Sequence, residues 1–189
     1  MKSKIKSSLC AATTGTALLA GSFAVVPAMA TPAAAAHCEP FQYHKTRQLG
    51  RPFYRTTGPT NSKYNSSSHR SNLNITVTRD TTRSTAWKVE AGGSLNFAIA
   101  EVKADFNVNI TKTVKRGVKV TNTMVVDARK RGYTRPMVEY RKWVVEQWRQ
   151  AGNCSQVYVK QMGILSGITS SMHWAECQTR SVNGCTPKP

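Results

Sequence analysis

The chain has 189 residues, of which 27 are Lys or Arg and nine are Asp or Glu, so its formal net charge is +18. Beyond the first thirty residues no stretch reaches the ~20 apolar residues that a membrane-spanning helix needs, which argues against a helical membrane protein. The charge favours an anionic partner, such as nucleic acid, teichoic acid, anionic lipid or an acidic protein face, but it also fits a solvated surface with no specific partner.

Residues 1–30 have the three parts of a secretory signal peptide. A basic start carries three lysines, an apolar middle of small residues follows, and Ala28-Met29-Ala30 is an A-x-A cleavage signal. Cleavage there leaves about 159 residues with a net charge of +15, and a cut after residues 34–36 would start the mature chain at His37. A secreted, extracellular protein with one domain and a single modest core is therefore predicted.

Residues 31–70 are predicted to form an extended basic N-terminal arm. Four prolines and two glycines interrupt the segment, and its aromatic and basic residues lack the regular aliphatic spacing of a core element. Two roles stay open, a strap over the domain's own sheet and a segment that docks on a partner. The residues expected to contact a partner are Phe41, Tyr43, Arg47, Arg51, Phe53, Tyr54 and Arg55.

A disulfide-bonded β domain is predicted over residues 71–189, because from Ser71 apolar residues recur with the period of two that is typical of strands. The central prediction is a long amphipathic hairpin over residues 95–126, with a bulge at Ala100-Glu101 and a turn near Gly117. The apolar face of this hairpin is expected to carry Val102, Phe106, Val108 and Ile110.

Residues 137–148, MVEYRKWVVEQW, fit both a helix and a strand, because Tyr140, Val144 and Trp148 keep the spacing of either. The preceding Pro136 and a high content of Val, Tyr and Trp favour the strand. The predicted fold class is therefore all-β, an antiparallel β-sandwich of about seven or eight strands with an extended N-terminal arm and two disulfides.

Four cysteines follow the cleavage site, and an even set in an exported chain predicts two disulfides. Three pairings are possible. We favour Cys38–Cys154 with Cys177–Cys185, because the second pair closes a short loop and the first fixes the start of the mature chain. Zinc is the alternative, but no C-x-x-C pair or H-x-x-x-H spacing occurs, so no metal site is predicted.

Catalytic chemistry is not expected in this chain. No G-x-S-x-G pattern occurs, the carboxylates are too scattered to suggest a paired acid and base, and Gly92-Gly93 lacks the lysine of a phosphate loop. The chain is therefore predicted to be a non-enzymatic protein without catalytic residues or a cofactor.

A dense basic and aromatic patch occurs later in the chain. It consists of Arg129, Lys130, Arg131, Tyr133 and Arg135. Arginine beside exposed rings binds single-stranded nucleic acid and also forms the hot spots of protein interfaces. Nucleic acid is not expected as a partner of an exported chain, and a basic turn beside a core-facing tryptophan is the simplest alternative.

Around residues 81–149 the chain resembles the pore-forming module of aerolysin-like toxins. The resemblance lies in the stretch Thr81-Thr82-Arg83-Ser84-Thr85 and in the alternating hairpin that follows it. It implies that hairpins from several copies join into a membrane barrel, whose strands need ~9–11 alternating residues. The chain departs from that family because it is short and lacks a clear receptor-binding domain, and Lys103 and Asp105 would face the lumen.

The order of a signal peptide, a short basic arm tied by Cys38 and a disulfide-bonded β domain is similar to the small adaptor subunit of secreted bacterial umbrella toxin particles. Such an adaptor joins a lectin-like or protease-like subunit to a large toxin-bearing polypeptide. The resemblance implies that the arm from Glu39 to Arg55 inserts into a cleft of one partner while the β domain engages another.

The leading functional hypothesis is therefore a secreted, protein-binding adaptor in a hetero-oligomeric extracellular toxin assembly. A β-pore-forming protein that uses the 95–126 hairpin is the second hypothesis, and only this one requires a membrane. A binder of anionic envelope polymers is the third.

Overall fold

The computed structural model describes residues 37–189, and the predicted signal peptide lies outside them. Within the described residues nine strands and one helix follow one another. Their bounds are β1 Phe41–Thr56, β2 Asn61–Tyr64, β3 Ser71–Thr78, β4 Arg83–Ser84, β5 Ala86–Val89, α1 Leu95–Phe106, β6 Thr113–Val114, β7 Lys119–Val126, β8 Arg131–Gln150 and β9 Gln156–Thr179. All strand pairs are antiparallel, which confirms the predicted all-β class.

The hairpin of β8 and β9 forms the centre of a five-stranded sheet. β1 and then β2 pair with the free edge of β8, and β5 pairs with β9. Residues 137–148 lie within β8, which confirms the strand that their Val, Tyr and Trp content predicted. A strand of this length spans about 65 Å, so the two ends of the sheet are separate surfaces.

Register shifts in the large sheet come from extra residues in β1 and β9, whereas β8 is continuous. The odd-numbered and even-numbered side chains of β8 therefore point to opposite sides along the whole strand. We call these sides the odd face and the even face of the sheet.

Different layers cover the two faces. α1 packs on the odd face, where Val102 joins Trp143 and Val145 in a core cluster. The ribbon of β3 and β7 packs on the even face towards the other end of β8, so closely that a Cβ on Gly132 would lie 2.5 Å from Val126 Cγ2. Each half of the sheet is thus covered on one face by one of these two layers.

The prediction of a hairpin over residues 95–126 is wrong. Its first half is helix α1, and its second half, β7, pairs with β3. The helix begins after Ser94, whose Oγ accepts a hydrogen bond from Phe97 N at 3.2 Å, and it ends at Asn107, which has a left-handed φ of 50°. These two caps satisfy backbone groups that a strand would present to a neighbour.

The four residues assigned to the apolar face of that hairpin occupy different environments. Val102 is fully buried, Phe106 is 38% exposed at the end of the helix, and Val108 and Ile110 pack on the same core cluster from the following loop. The strand-like alternation continues through this stretch, but residues 95, 98, 99 and 102 also have the spacing of one helix face. The helical period prevails because both ends of the helix are capped.

Both favoured disulfides are present. Cys38–Cys154 joins the segment before β1 to the turn between β8 and β9, and Cys177–Cys185 joins β9 to the C-terminal segment. Such bonds persist in an oxidising environment, extracellular or periplasmic.

The extended part of the predicted arm is the edge strand β1. Its backbone pairs with β8 from Phe41↔Gln150 to Thr56↔Met137, so this segment is part of the sheet itself and does not cross over it as a strap. The Asp105 carboxylate accepts a hydrogen bond from Thr46 N at 2.9 Å, and Gly50, with φ of 68°, lies where the register shifts. Both features hinder another strand from pairing with the free edge of β1, so a partner would contact mainly the side chains of β1.

Candidate partner-binding surfaces

An aromatic surface lies on the even face at the end of the sheet that carries the β8–β9 turn. Tyr43 of β1, Trp148 of β8 and Tyr158 of β9 are direct cross-strand neighbours, so their rings form a row. Phe41 and Lys45 extend the row along β1. We call these five residues the aromatic surface.

The rings of the aromatic surface contact one another and a cation. The ring centres of Phe41 and Tyr43 are 5.4 Å apart, those of Trp148 and Tyr158 are 5.7 Å apart, and Lys45 Nζ lies 4.4 Å from the centre of Trp148. Phe41 is 52% exposed and Tyr158 is 49% exposed. Exposed rings beside a cation are typical of the hot spots of protein interfaces.

The aromatic surface is fixed by covalent and hydrogen bonds. The Cys38–Cys154 bond and a hydrogen bond from Cys38 N to Gly152 O, at 2.9 Å, hold the start of β1 against the β8–β9 turn. Trp148 Nε1 donates to Glu146 Oε2 at 3.1 Å. Because these side chains are already ordered, binding a partner would cost little conformational entropy at this surface.

Positive charge continues along the even face beyond the aromatic surface. Arg47 Nη2 is paired with Glu146 Oε1 at 3.6 Å, whereas Lys88 and Lys142 have no ion pair among residues 37–189 and border a depression of about 540 Å³ that Leu49 also lines. A protein surface that complements this part of the even face would be acidic with apolar positions.

The seven arm residues do not form one surface. Phe41, Tyr43 and Arg47 lie on or beside the aromatic surface. Phe53 stacks on Tyr140 with ring centres 5.3 Å apart, and Tyr54 lies against the His173 ring at 4.3 Å. Of the two remaining arginines, Arg51 is exposed at the register shift of β1, and Arg55 lies over the Phe53 ring.

The predicted basic and aromatic patch is also divided. Lys130 Nζ pairs with Asp127 Oδ2 at 2.8 Å, and hydrogen bonds from Lys130 and Arg70 hold the pKa of the Asp127 carboxyl below its usual range. Arg135 Nε donates to Gly58 O at 3.3 Å, and Arg129 is exposed in a turn. Arg131 and Tyr133, by contrast, lie together on the odd face and line a cleft.

Within residues 37–189, no group of three or more His, Cys, Asp or Glu is arranged to hold a metal ion. None of the helical structure in this range is long and apolar enough to cross a bilayer.

Comparisons of the chain with protein-family models, with curated proteins and with solved structures found no match.

Trp148 and Tyr158 were not predicted as partner-binding residues. Trp148 ends the stretch 137–148 that is predicted as a strand, but its pairing with Tyr158 depends on register shifts in β9 that have no clear signal in the sequence. The one available signal was the density of large aromatic residues near Cys154, at the end of a predicted strand.

Proposed function

We propose that the protein is a secreted, non-enzymatic adaptor that binds another secreted protein through the aromatic surface. The observation that carries this proposal is the pair of half-exposed rings, Phe41 and Tyr158, at the two ends of an aromatic row that a disulfide holds in place. Fixed aromatic side chains with a basic border provide apolar contact area at a low cost in conformational entropy. The resemblance to umbrella toxin adaptors suggests an extracellular toxin particle as the context.

An adaptor needs a second surface of different chemistry, and the outer side of the β3–β7 ribbon is one. Exposed uncharged side chains are linked there in pairs, Thr76 with Thr121 at 2.8 Å between hydroxyl oxygens and Thr123 with Asn74 at 2.7 Å. This polar side lies towards the end of β8 opposite the aromatic surface, so two partners could bind at the same time without overlap.

The first test is size-exclusion chromatography of culture supernatant from the source cells, followed by calorimetry with the purified partner. The wild-type protein is expected to elute in a stoichiometric complex. Replacing Phe41 and Tyr158 together by Ala should weaken the complex at least about tenfold, since each ring is a hot-spot residue.

The matched control is Val118→Ala, which removes an exposed apolar side chain far from the aromatic surface. This variant should bind like the wild type. The proposal is refuted if the wild-type protein elutes alone, or if the Phe41 and Tyr158 double variant binds as tightly as the control.

A second candidate, a β-pore-forming protein, is favoured by one specific observation. The stretch from Val102 to Ile110 has strict strand alternation, yet half of it lies in a helix in which only Ala98 and Val102 are fully buried. A helix with a sequence suited to a strand can convert to a hairpin if the caps at Ser94 and Asn107 are released. β7 would have to leave β3 in the same step.

Dye release from vesicles of phosphatidylcholine and phosphatidylserine tests the pore candidate. The wild-type protein should release dye, and Phe106→Lys should abolish release because it places a charge on the lipid-facing side of the converted hairpin. Val89→Lys makes the same kind of change at an exposed site outside residues 95–126 and should leave release intact. Failure of the wild-type protein to release dye at any concentration would exclude this candidate.

A further inference from the structure

A polar cleft lies on the odd face, at the end of the sheet where the ribbon covers the even face. Two adjoining depressions, of about 490 and 530 Å³, share Ser62, Tyr133 and Val182. The floor is formed by β2, β8 and β9, and the wall is the C-terminal segment that the Cys177–Cys185 bond holds to β9. We call this feature the C-terminal cleft. Its size suits a ligand of a few sugar rings.

Positive charge lines the C-terminal cleft without a carboxylate to neutralise it. Arg131 and Arg180 are both exposed and border the first depression, and none of the residues that line either depression is Asp or Glu. Within residues 37–189 neither arginine is part of an ion pair. Arg131 Nη1 donates to Ser62 Oγ at 3.3 Å, so most of the donors of the two guanidinium groups remain available for an anionic oxygen group on a ligand.

Aromatic rings and hydroxyl groups complete the lining. Tyr64 is 45% exposed, and its ring centre lies 6.0 Å from the guanidinium carbon of Arg131. Ser62 and Thr179 add hydroxyl groups, which can exchange hydrogen bonds with the hydroxyl groups of a sugar. A polar lining with the exposed Tyr64 ring and the half-buried Tyr133 ring fits a saccharide better than an apolar ligand.

The wall of the cleft is fixed by a glycine. Gly184 has a φ of 72°, and a Cβ there would lie 3.0 Å from the Tyr133 hydroxyl oxygen. The turn therefore packs its backbone directly on Tyr133. This contact orients the tyrosine that both depressions share.

We propose that the C-terminal cleft binds an acidic oligosaccharide. Arg131 and Arg180 bind its anionic group, a carboxylate, sulfate or phosphate, while Tyr64 and Tyr133 lie against a sugar ring. The aromatic surface is on the opposite face and at the opposite end of the sheet, so this site is independent of the adaptor contact proposed above.

Calorimetry at 0.15 M salt with defined probes tests the site, because at that ionic strength long-range attraction is largely screened. The acidic probes are a hyaluronan tetrasaccharide, a heparin tetrasaccharide and mannose 6-phosphate, which present carboxylate, sulfate with carboxylate, and phosphate. Maltotetraose is the neutral comparator, and tetraglutamate is the acidic comparator without a sugar. At least one acidic saccharide should bind, and its identity assigns the anionic group, whereas both comparators should bind at least about tenfold more weakly.

Arg131→Gln and Arg180→Gln should each reduce the affinity for that saccharide about tenfold, since each removes a charge-assisted pair of hydrogen bonds. Arg149→Gln removes the same charge from an exposed site at the other end of β8 and should have no effect. Unchanged circular dichroism and melting temperature confirm that a variant is folded, and Arg131→Lys supplies a second variant that keeps the charge but not the fork of donors.

Three results would overturn the proposal. They are an equal loss of affinity in Arg149→Gln, binding of tetraglutamate as tight as that of the best saccharide, and absence of binding by all three acidic saccharides at millimolar concentration.

Discussion

Arg79 is a buried cation that has no carboxylate partner among residues 37–189. The residue is 7% exposed, its Nη2 donates to Ser171 O at 2.6 Å, and its Nε has no partner. Burial lowers the pKa of the guanidinium, which shows that the charged form is disfavoured at this position. Burying a charge without an opposite charge nearby has a desolvation cost, and a hydrogen bond to one carbonyl does not fully offset it.

Replacing Arg79 by Met is therefore expected to raise the free energy of unfolding by about 1 kcal/mol. Met fills much of the same space, and Ser171 is exposed, so water can reach the carbonyl that loses its donor. Arg79→Ala should instead lower the free energy of unfolding by about 2 kcal/mol, because it leaves a cavity. Urea unfolding measures both changes. An equal loss in the two variants would mean that the hydrogen bond to Ser171 outweighs the buried charge.

At the scale of elements, Asp105 fastens α1 to the edge strand β1. Its carboxylate accepts hydrogen bonds from Thr46 N at 2.9 Å and from Thr46 Oγ1 at 2.6 Å. Asp105→Ala should expose the Thr46 amide and speed its hydrogen exchange about fivefold, which corresponds to the loss of about 1 kcal/mol of local stability.

The control for this change is Lys103→Ala, since Lys103 is also exposed on α1 and forms no ion pair within residues 37–189. Exchange of the Thr46 amide should be unchanged in this variant. If Asp105→Ala leaves the exchange rate at the wild-type value, α1 is held by its apolar contacts alone.

The sequence predicts some elements well and others poorly, for physical reasons that differ between them. β8 was predictable because Val, Tyr and Trp are crowded between a proline and a glycine. The sequence left three disulfide pairings open, and the short Cys177–Cys185 loop favoured the one that is present. α1 was not predictable, because residues 102–110 alternate like a strand while the decisive Ser94 and Asn107 caps are single polar residues. The cleft at Arg131 brings together residues from β2, β8 and the C-terminal segment, so no local pattern marks it.

At the scale of the whole molecule, stability in acid is expected to depend on Glu139, which lies on β8 and accepts a hydrogen bond from β9. Burial raises the pKa of its carboxyl, but hydrogen bonds from Thr169 Oγ1 at 2.8 Å and Arg141 Nε at 3.0 Å outweigh burial and leave the pKa below the ordinary 4.5. The folded state then binds this proton less readily than the unfolded state. The stabilisation is complete above the unfolded pKa and is lost as the pH falls through the lower folded value.

The melting temperature of the wild-type protein should accordingly be nearly constant from neutral pH to about pH 5 and fall steeply below pH 4.5. Glu139→Gln should lower the melting temperature at neutral pH and flatten the fall in acid. Glu90→Gln, at an exposed position with the same loss of charge, should keep the wild-type profile. An identical acid slope in Glu139→Gln would assign the acid loss to other carboxylates, such as Asp127.

The two disulfides constrain the unfolded chain to different extents. Cys38–Cys154 closes a loop with a sequence separation of 116, and Cys177–Cys185 closes one of 8. Loop entropy then predicts stabilisations of about 5 and about 2.5 kcal/mol. Urea unfolding of the two double alanine variants should therefore show that loss of Cys38–Cys154 is the more destabilising by about 2.5 kcal/mol.

A second measurement, hydrogen exchange, distinguishes the effect of Cys38–Cys154 on the entropy of the unfolded chain from its effect on local order in the folded protein. Because this bond lies at the end of the sheet that carries the aromatic surface, its removal should also speed hydrogen exchange at Tyr43 while leaving exchange in the β3–β7 ribbon unchanged. A larger loss of stability on removing Cys177–Cys185 would contradict the entropic account. It would mean that the C-terminal segment unfolds together with the core, whereas the aromatic end of the sheet opens on its own.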